Sequence, residues 1–189
     1  MKKVLTILIC LLLLCSCRKE NSSNKKYKVE IDIKDYGVIT AELDEGSAPI
    51  TVKNFISLAK SGFYDGLTFH RIIKDFMIQG GDPEHNGTGG SNKTIKGEFK
   101  NNGINNKLSH TRGAISMARN SYSMDSASSQ FFIVHKDSLF LDGDYAVFGY
   151  VTSGMEIVDK IAEDAKPIDD NGTIIYEEQP IITSIKVIE

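Results

Sequence analysis

The sequence has no tryptophan and few prolines or cysteines. Its 189 residues include no tryptophan, four prolines and three cysteines, and the cysteines are Cys10, Cys15 and Cys17. Because all three lie near the N-terminus, the remainder of the chain can form no disulfide, even in an oxidising compartment. Stability must therefore come from an apolar core, and about 160 residues are enough to bury one.

The sequence also lacks a surplus of basic residues. It has 22 lysines and arginines against 25 acidic residues, which gives a formal net charge of −3. A mildly acidic protein without a basic stripe is a poor nucleic-acid binder, so no nucleic-acid partner is expected. The apolar run from Val4 to Leu14 has eleven residues. It is too short to cross a bilayer, because a transmembrane helix needs about 20 residues.

The N-terminal segment predicts secretion and lipid attachment instead. Lys2 and Lys3 precede the apolar run, as in a signal peptide. The run ends in Leu-Cys-Ser-Cys, which resembles a bacterial lipobox with Cys17 as the acylated residue. We therefore predict a lipoprotein signal peptide over residues 1–16, a flexible polar tether over residues 17–26 and a folded domain over residues 27–189.

The net charge of the chain does not favour binding to anionic lipid. Cleavage after residue 16 would remove two lysines, leaving 20 basic against 25 acidic residues and a formal charge of −5. Attachment would therefore depend on acyl chains, and stable anchoring needs more than one of them. An ordinary signal peptide cut nearby and a buried helix remain the alternatives.

The predicted domain alternates between apolar and polar residues in many short stretches. Tyr27 to Ile33 and Gly37 to Leu43 have period two and flank a turn, which predicts a β-hairpin. Further strand-like runs lie near residues 67–73, 76–79, 113–118, 129–134, 146–151 and 181–188.

Two other segments have helical spacing. Pro49 suits a first helical turn and Gly62 suits the helix end, with Val52, Phe55, Ile56 and Ala59 as the apolar stripe between them. A second helix is predicted from Gly154 to Ala162. Eight short strands with only two helices predict a mainly β fold, a closed eight-stranded antiparallel β-barrel capped by two α-helices.

Residues 69–82, FHRIIKDFMIQGGD, are the most informative segment for function. A strand of period two places Met77 and Gln79 on one face and Phe76 and Ile78 on the other. Arg71 reaches the same region if the chain bends at residues 74–75.

A second apolar run repeats the pattern, since Gln130 and Phe132 share a face of the stretch 129–134. Together the two strands describe an apolar groove with a few hydrogen-bonding groups. They carry no nucleophile, carboxylate pair or metal cluster, which suits a substrate whose covalent bonds are not broken. Taken alone, the large apolar residues would be interpreted as ordinary core residues, and Arg71 as a surface or salt-bridge arginine. The two glutamines are harder to explain in that way, because buried amides need hydrogen-bond partners.

These segments and four others occur in an order that resembles the cyclophilins, the cyclosporin-binding class of peptidyl-prolyl cis-trans isomerases. The other four are Gly87–Gly90 (GTGG), Gly113–Ala118 (GAISMA), Leu141–Gly143 (LDG) and Ala146–Gly149 (AVFG). The resemblance covers Tyr27 to Glu189. It implies the same barrel architecture and an enzyme that isomerises X-Pro bonds without a cofactor or a metal.

The resemblance also implies a catalytic pair and a peptide groove. Arg71 would donate a hydrogen bond to the prolyl nitrogen of the twisted bond, while Gln79 would hold the substrate backbone and orient Arg71. The proline pocket would consist of Phe76, Met77, Phe132 and Leu141. The remaining substrate-binding residues would be Gly89, Ala118, Arg119, Asn120, Gln130, Phe140 and Tyr145.

Three groove positions depart from the common eukaryotic pattern of the family. Phe140 stands where a tryptophan is usual, Tyr145 where a histidine is usual, and Arg119 where an asparagine is usual. Without the indole N–H we expect weaker inhibition by cyclosporin rather than lost catalysis. Arg119 adds a positive charge at the groove edge.

Other possible sites are weak. His70, His85, His110 and His135 lack metal-ligand spacing and are expected to be ordinary polar or structural residues. The stretch Asp169–Gly172 faintly suggests a calcium loop, but Pro167 occupies the position of the first ligand, so we predict a turn.

We therefore predict a monomeric peptidyl-prolyl cis-trans isomerase, anchored through Cys17 in the bacterial cell envelope and facing the periplasm or the exterior. Its partners would be proline-containing segments of extracytoplasmic client proteins, whose folding it assists. Two alternatives stay open: a tethered peptide-binding or chaperone module with little turnover, and a structural envelope protein.

Overall fold

The computed structural model describes residues 25–188, so Cys17 and the predicted signal peptide lie outside the described residues. The strands are β1 (Lys26–Ile33), β2 (Gly37–Asp44), β3 (Phe69–Ile73), β4 (Met77–Gly80), β5 (Ala114–Met117), β6 (Phe131–Val134), β7 (Val147–Ser153) and β8 (Ile182–Ile188). The α-helices are α1 (Pro49–Lys60) and α2 (Met155–Asp164). Neither of these helices is long and apolar enough to cross a bilayer. The predicted mainly β fold with eight strands and two helices is confirmed.

The strands form one antiparallel sheet in the order β3-β4-β6-β5-β7-β2-β1-β8. The predicted closure of this sheet into a barrel is wrong, because the edge strands β3 and β8 are not paired as neighbours in the sheet, and the residues just before them form one isolated bridge, Thr68 to Ile181. Pro180 accepts a hydrogen bond from the Phe69 amide, 2.9 Å away, but has no N–H to extend the ladder. The sheet is therefore a curled, open half-barrel.

The main core lies between the concave face of the sheet and the helices. Phe55 of α1 is fully buried, and its ring centroid lies 5.0–5.3 Å from those of Tyr64, Phe131 and Phe148. Burial of a phenylalanine side chain contributes about 1.5–3 kcal/mol to stability. The helical stripe predicted from the spacing around Phe55 is buried as expected.

A smaller apolar cluster lies on the other face of the sheet. Its buried members are Met77, Ala114, Phe132, Val134 and Val147, and Phe76 packs against them. The prediction that Phe76 and Met77 occupy opposite faces is wrong. Period two does not extend back to Phe76, because β4 begins only at Met77 and Asp75 turns the chain with a φ of 62°.

The N-terminus of α1 is capped by a residue distant in sequence. Ala48 provides no side-chain hydrogen bond, but the buried carboxylate of Glu98 accepts hydrogen bonds from the amides of Ile50 (3.0 Å) and Thr51 (2.8 Å). It also accepts one from the Thr51 hydroxyl at 2.7 Å. A negative charge at this end of a helix stabilises it, since the first amides have no partners within the helix.

Candidate active site

The predicted catalytic residues lie in one row that runs across neighbouring strands. Arg71 on β3 pairs with Gln79 on β4, which pairs with Phe132 on β6, which pairs with Ser116 on β5. Residues paired directly across an antiparallel sheet project from the same face. Strand register therefore brings together a guanidinium, an amide and an aromatic ring that are up to 61 residues apart in sequence.

The Arg71 side chain is half-buried and is held from two sides. Its Nη1 donates to Gln79 Oε1 at 3.2 Å and lies 3.8 Å from Met77 Sδ, while its Nε donates to the Asn171 carbonyl at 2.7 Å. Burial lowers the pKa of the Arg71 guanidinium. The nearby Tyr145 acts in the opposite direction, but the effect of burial is larger. Because the reference pKa of arginine is so high, the group stays charged.

A chain of amide hydrogen bonds connects Arg71 to the Gly87–Gly90 loop. Gln79 Nε2 donates to Gln130 Oε1 at 2.9 Å, and Gln130 Nε2 donates to the carbonyls of Gly87 and Gly89 at 3.1 and 2.7 Å. The two half-buried amides predicted from the apolar strands thus find partners in each other, in Arg71 and in the loop carbonyls.

Asp82 fixes the start of this loop. Its carboxylate accepts hydrogen bonds from the amides of Glu84 (2.8 Å) and Asn86 (3.1 Å) and from that of Gly87. Burial raises the pKa of Asp82, but these backbone donors together outweigh that effect and lower it. A side chain at Gly89 would collide with this carboxylate, so the close approach requires glycine.

Two adjoining pockets lie along the row. The smaller has a volume of about 140 Å³ and is lined by Arg71, Phe76, Met77, Gln79, Ala118, Arg119, Phe132, Leu141 and Tyr145. The larger, about 320 Å³, includes the predicted residues Gly89, Asn120 and Gln130 and shares Gln79, Ala118 and Arg119 with the smaller. With one exception, the structure gathers every predicted groove residue in these two pockets.

The exception is Phe140, which lines neither pocket. Phe140 is 73% exposed and its ring centroid lies 5.5 Å from that of Phe76, so it packs beside a residue that lines the smaller pocket. The expectation that cyclosporin binds weakly, which depends on this position, stays a prediction.

Arg119 stands at the wall that the two pockets share. Its guanidinium lies 5.3 Å from the ring centroid of Phe99 and 4.9 Å from that of Tyr145, and its Nε donates to the Asp144 carbonyl at 2.8 Å. Cation–π contacts on two rings and a hydrogen bond fix this charge in place. The groove thus carries a second positive charge besides Arg71.

Sequence reasoning missed a polar group behind Phe132. The buried His110 ring stacks against Phe132 at 5.9 Å, its Nδ1 lies 2.7 Å from Asp142 Oδ1, and its Nε2 lies 3.0 Å from Ser116 Oγ. Burial lowers the pKa of His110 although Asp142 acts to raise it, so the ring is neutral at pH 7. No local motif joins these residues, because His110 and Asp142 lie in separate loops and meet Ser116 of β5 only in the folded chain.

The smaller pocket suits a change of conformation better than a change of bonds. Among the described residues that line it there is no serine, threonine, cysteine, histidine, lysine or carboxylate to act as a nucleophile or general base. What the lining offers is an apolar wall with a charged, oriented donor at its edge. Such a site can bind a small apolar ring and stabilise an electron pair that forms beside it.

Comparisons with known proteins agree with this geometry. The sequence matches the family model of the cyclophilin type peptidyl-prolyl cis-trans isomerase/CLD over residues 28–187. It is 46% identical over 139 residues to peptidyl-prolyl cis-trans isomerase cypE of Dictyostelium discoideum, which covers 71% of this chain and 86% of that protein. It is 49% identical over 124 residues to peptidyl-prolyl cis-trans isomerase B of Bacillus subtilis, with 66% and 82% covered.

A solved structure of a cyclophilin-type protein has a similar fold. The crystal structure of a Cryptosporidium parvum cyclophilin type peptidyl-prolyl cis-trans isomerase, obtained in the presence of the dipeptide Ala-Pro, has a TM-score of 0.75 and 32% identity. The similarity covers 86% of this chain and 99% of that one. Because the family model spans nearly all described residues, this chain belongs to the cyclophilin-type peptidyl-prolyl cis-trans isomerases.

Proposed function

We propose that this isomerase acts outside the cytoplasm, held to a membrane by lipid at Cys17, and assists the folding of client proteins that contain proline. The observation that carries the assignment of its active site is the row of Arg71, Gln79 and Phe132 across β3, β4 and β6. In this row a fixed charge lies beside a pocket of about 140 Å³, large enough for a proline ring.

The reaction needs only a lower barrier to rotation. Amide resonance gives the X-Pro bond a barrier of about 18–20 kcal/mol, so uncatalysed exchange takes tens to hundreds of seconds. In the twisted state that resonance is lost, the prolyl nitrogen becomes pyramidal, and its lone pair can accept a hydrogen bond. A donor that binds the twisted state better than either planar state therefore accelerates exchange in both directions.

Arg71 is the donor. Its Nε and Nη1 already have protein partners in Asn171, Gln79 and Met77. The remaining nitrogen, Nη2, makes no hydrogen bond within residues 25–188, which leaves it for the substrate. A hydrogen bond to a charged group contributes about 1.5–3 kcal/mol, or about 10- to 150-fold in rate. The rest of the acceleration comes from excluding water and holding the ring.

The substrate is an extended peptide with one proline. The ring enters the smaller pocket against Phe132 and Met77, and the residues before the proline pass Ala118 and Asn120 toward the larger pocket. The relative crystallised in the presence of Ala-Pro supports proline-containing peptides as the ligand class. The fixed charge of Arg119 lies beside this path.

The folding role is tested with a protein whose refolding is limited by X-Pro isomerisation. The full-length chain in detergent is expected to accelerate the slow phase, which takes about 10–100 s without a catalyst, in proportion to its concentration. Arg71→Ala at equal concentration serves as the control. An unchanged slow phase, with a short peptide still turned over, would remove folding assistance from the proposal and leave the isomerase activity standing.

The lipid anchor is tested at Cys17. Mass spectrometry of the mature protein is expected to find an acylated N-terminal Cys17, and Cys17→Ser is expected to abolish membrane attachment or processing. The reason is that attachment of an acidic chain depends on its acyl groups. Cys15→Ser, which changes the neighbouring cysteine, should leave the anchor intact. Recovery of an unmodified protein that begins at another residue would contradict the prediction.

A further inference from the structure

The connection between α2 and β8 contains a tight turn, residues 169–173, that lies against the outer edge of β3. Arg71 forms an isolated antiparallel bridge with Thr173. The Ile72 amide donates to the Gly172 carbonyl at 2.8 Å, and the Ile174 amide donates to the His70 carbonyl at 3.0 Å. The 169–173 turn thus pairs with the backbone on both sides of Arg71.

The turn also holds the Arg71 side chain. The Asn171 carbonyl accepts the Nε–H at 2.7 Å, while Gln79 accepts from Nη1 on the groove side at 3.2 Å. A guanidinium is planar, so two hydrogen bonds at different nitrogens fix both its position and the direction of its remaining N–H groups. Of these two anchors, only Gln79 belongs to the groove.

Asp169 gives the turn its shape. Its carboxylate accepts the Thr173 amide at 3.0 Å, and its carbonyl accepts the Gly172 amide at 3.1 Å. Hydrogen bonds from Thr173, and then from Asn171 and Gly172, lower the pKa of the Asp169 carboxyl, so the group is ionised at neutral pH. An aspartate that accepts backbone N–H groups a few residues ahead is a common way to close a turn.

Gly172 allows the turn to approach β3. Its φ is +84°, and a Cβ at this position would lie 2.6 Å from the Ile72 carbonyl oxygen and would also collide with Ile73. Any other residue would push the turn away from the strand and with it the Asn171 carbonyl. The stretch that faintly suggested a calcium loop therefore has a different role.

We infer that the 169–173 turn positions the catalytic guanidinium, and that Asp169 is a positioning residue of the isomerase reaction. The inference depends on the proposed role of Arg71 as donor. Asp169 does not line the smaller pocket and acts through the Asn171 carbonyl, which selects the direction of the Arg71 N–H groups. Donors must be aligned with the position where charge develops, so a loosened turn costs rate rather than substrate affinity.

The first test is Asp169→Ala, compared with Asp170→Ala at the exposed neighbour in the same turn. In a protease-free assay on a short Ala-Pro peptide, the full-length chain with Asp169→Ala is expected to lose about tenfold in kcat with KM changed less than about twofold, because small misplacements of a catalytic group cost up to about 100-fold. Asp170→Ala should match the wild type. Asp169→Asn keeps an acceptor oxygen and should recover most of the rate.

A double-mutant cycle separates positioning from a general structural effect. Lysine at position 71 has no group equivalent to Nε–H, so Asp169→Ala should cost little further rate in an Arg71→Lys background. Thermal unfolding of each variant checks that it is folded. Equal loss in both backgrounds, no loss in Asp169→Ala, or Asp169→Asn as slow as Asp169→Ala would overturn the inference. Full activity in Arg71→Ala would instead overturn the proposed catalytic role of Arg71.

Discussion

Arg71→Ala is expected to lower kcat and kcat/KM together by about 100-fold, near the upper part of the range for a charged hydrogen bond. An equal loss in both constants marks an interaction that exists in the transition state alone. The row of Arg71, Gln79 and Phe132 gives the reason, because it places the guanidinium at the edge of the smaller pocket, which we propose holds the proline ring. Steady-state kinetics on an X-Pro peptide measures both constants.

Two further variants separate loss of the hydrogen-bond donor from loss of substrate binding. Arg71→Lys keeps the charge but loses the planar fork and the Nε–H bond to Asn171, so it should recover only part of the rate. Phe132→Ala removes an aromatic ring from the lining of the smaller pocket, the proposed site of the proline ring, and should affect KM at least as much as kcat. Each variant must be shown to be folded, since an emptied apolar pocket also lowers stability. Full activity in a folded Arg71→Ala protein would leave the groove a peptide-binding site.

Glu98→Ala is expected to lower the free energy of unfolding by about 3 kcal/mol. The substitution removes three hydrogen bonds to the first turn of α1 and leaves the buried Thr51 hydroxyl and amide without their acceptor. Urea unfolding of residues 25–189, followed by far-UV circular dichroism, measures the change, with the exposed Glu177→Ala as a control.

The same experiment separates the cap from a general loss of packing. Glu98→Gln retains one acceptor oxygen and should lose about half as much stability as Glu98→Ala. A change below about 1 kcal/mol in Glu98→Ala would contradict the assignment, because even an exposed helix cap contributes that much. Catalysis at low temperature should survive, since Glu98 lines neither pocket.

Local patterns were sufficient to predict the elements of this fold. Alternation in Tyr27–Ile33 and Gly37–Leu43 predicted a hairpin, and the structure pairs those stretches as β1 and β2. The helical stripe around Phe55 predicted α1 almost to the residue. Both predictions use hydrophobic periodicity within about ten residues, which is the most informative signal of secondary structure in a sequence.

Properties that depend on distant residues could not be predicted in this way. The open edge of the sheet arises where β3 and β8, far apart in sequence, fail to pair as neighbours, and the cap of α1 comes from Glu98, 47 residues beyond Thr51. Tertiary contacts of this kind leave no trace in local spacing. The predicted face of Phe76 was wrong for a different reason. Phe76 lies in the turn before β4, so the alternation of the strand does not apply to it.

The sequence predicted which residues line the groove but not the contacts that hold them in place. Family motifs predicted that Arg71, Gln79 and Phe132 share one groove, and the structure brings the three residues together across β3, β4 and β6. The motifs did not indicate the His110 group behind Phe132, or that the turn predicted at residues 169–172 would contact Arg71, because hydrogen bonds between residues distant in sequence create both.

Exchange spectroscopy by NMR on a labelled Ala-Pro peptide tests most directly whether this groove catalyses or only binds. With a small amount of the wild-type chain, cross-peaks between the cis and trans forms of the peptide are expected within a second, whereas the free peptide exchanges over tens of seconds or more. With Arg71→Ala the peptide resonances should still shift on binding, while the cross-peaks weaken by about the same 100-fold. Binding shifts without any cross-peaks in the wild-type chain would contradict catalysis and leave a peptide-binding module.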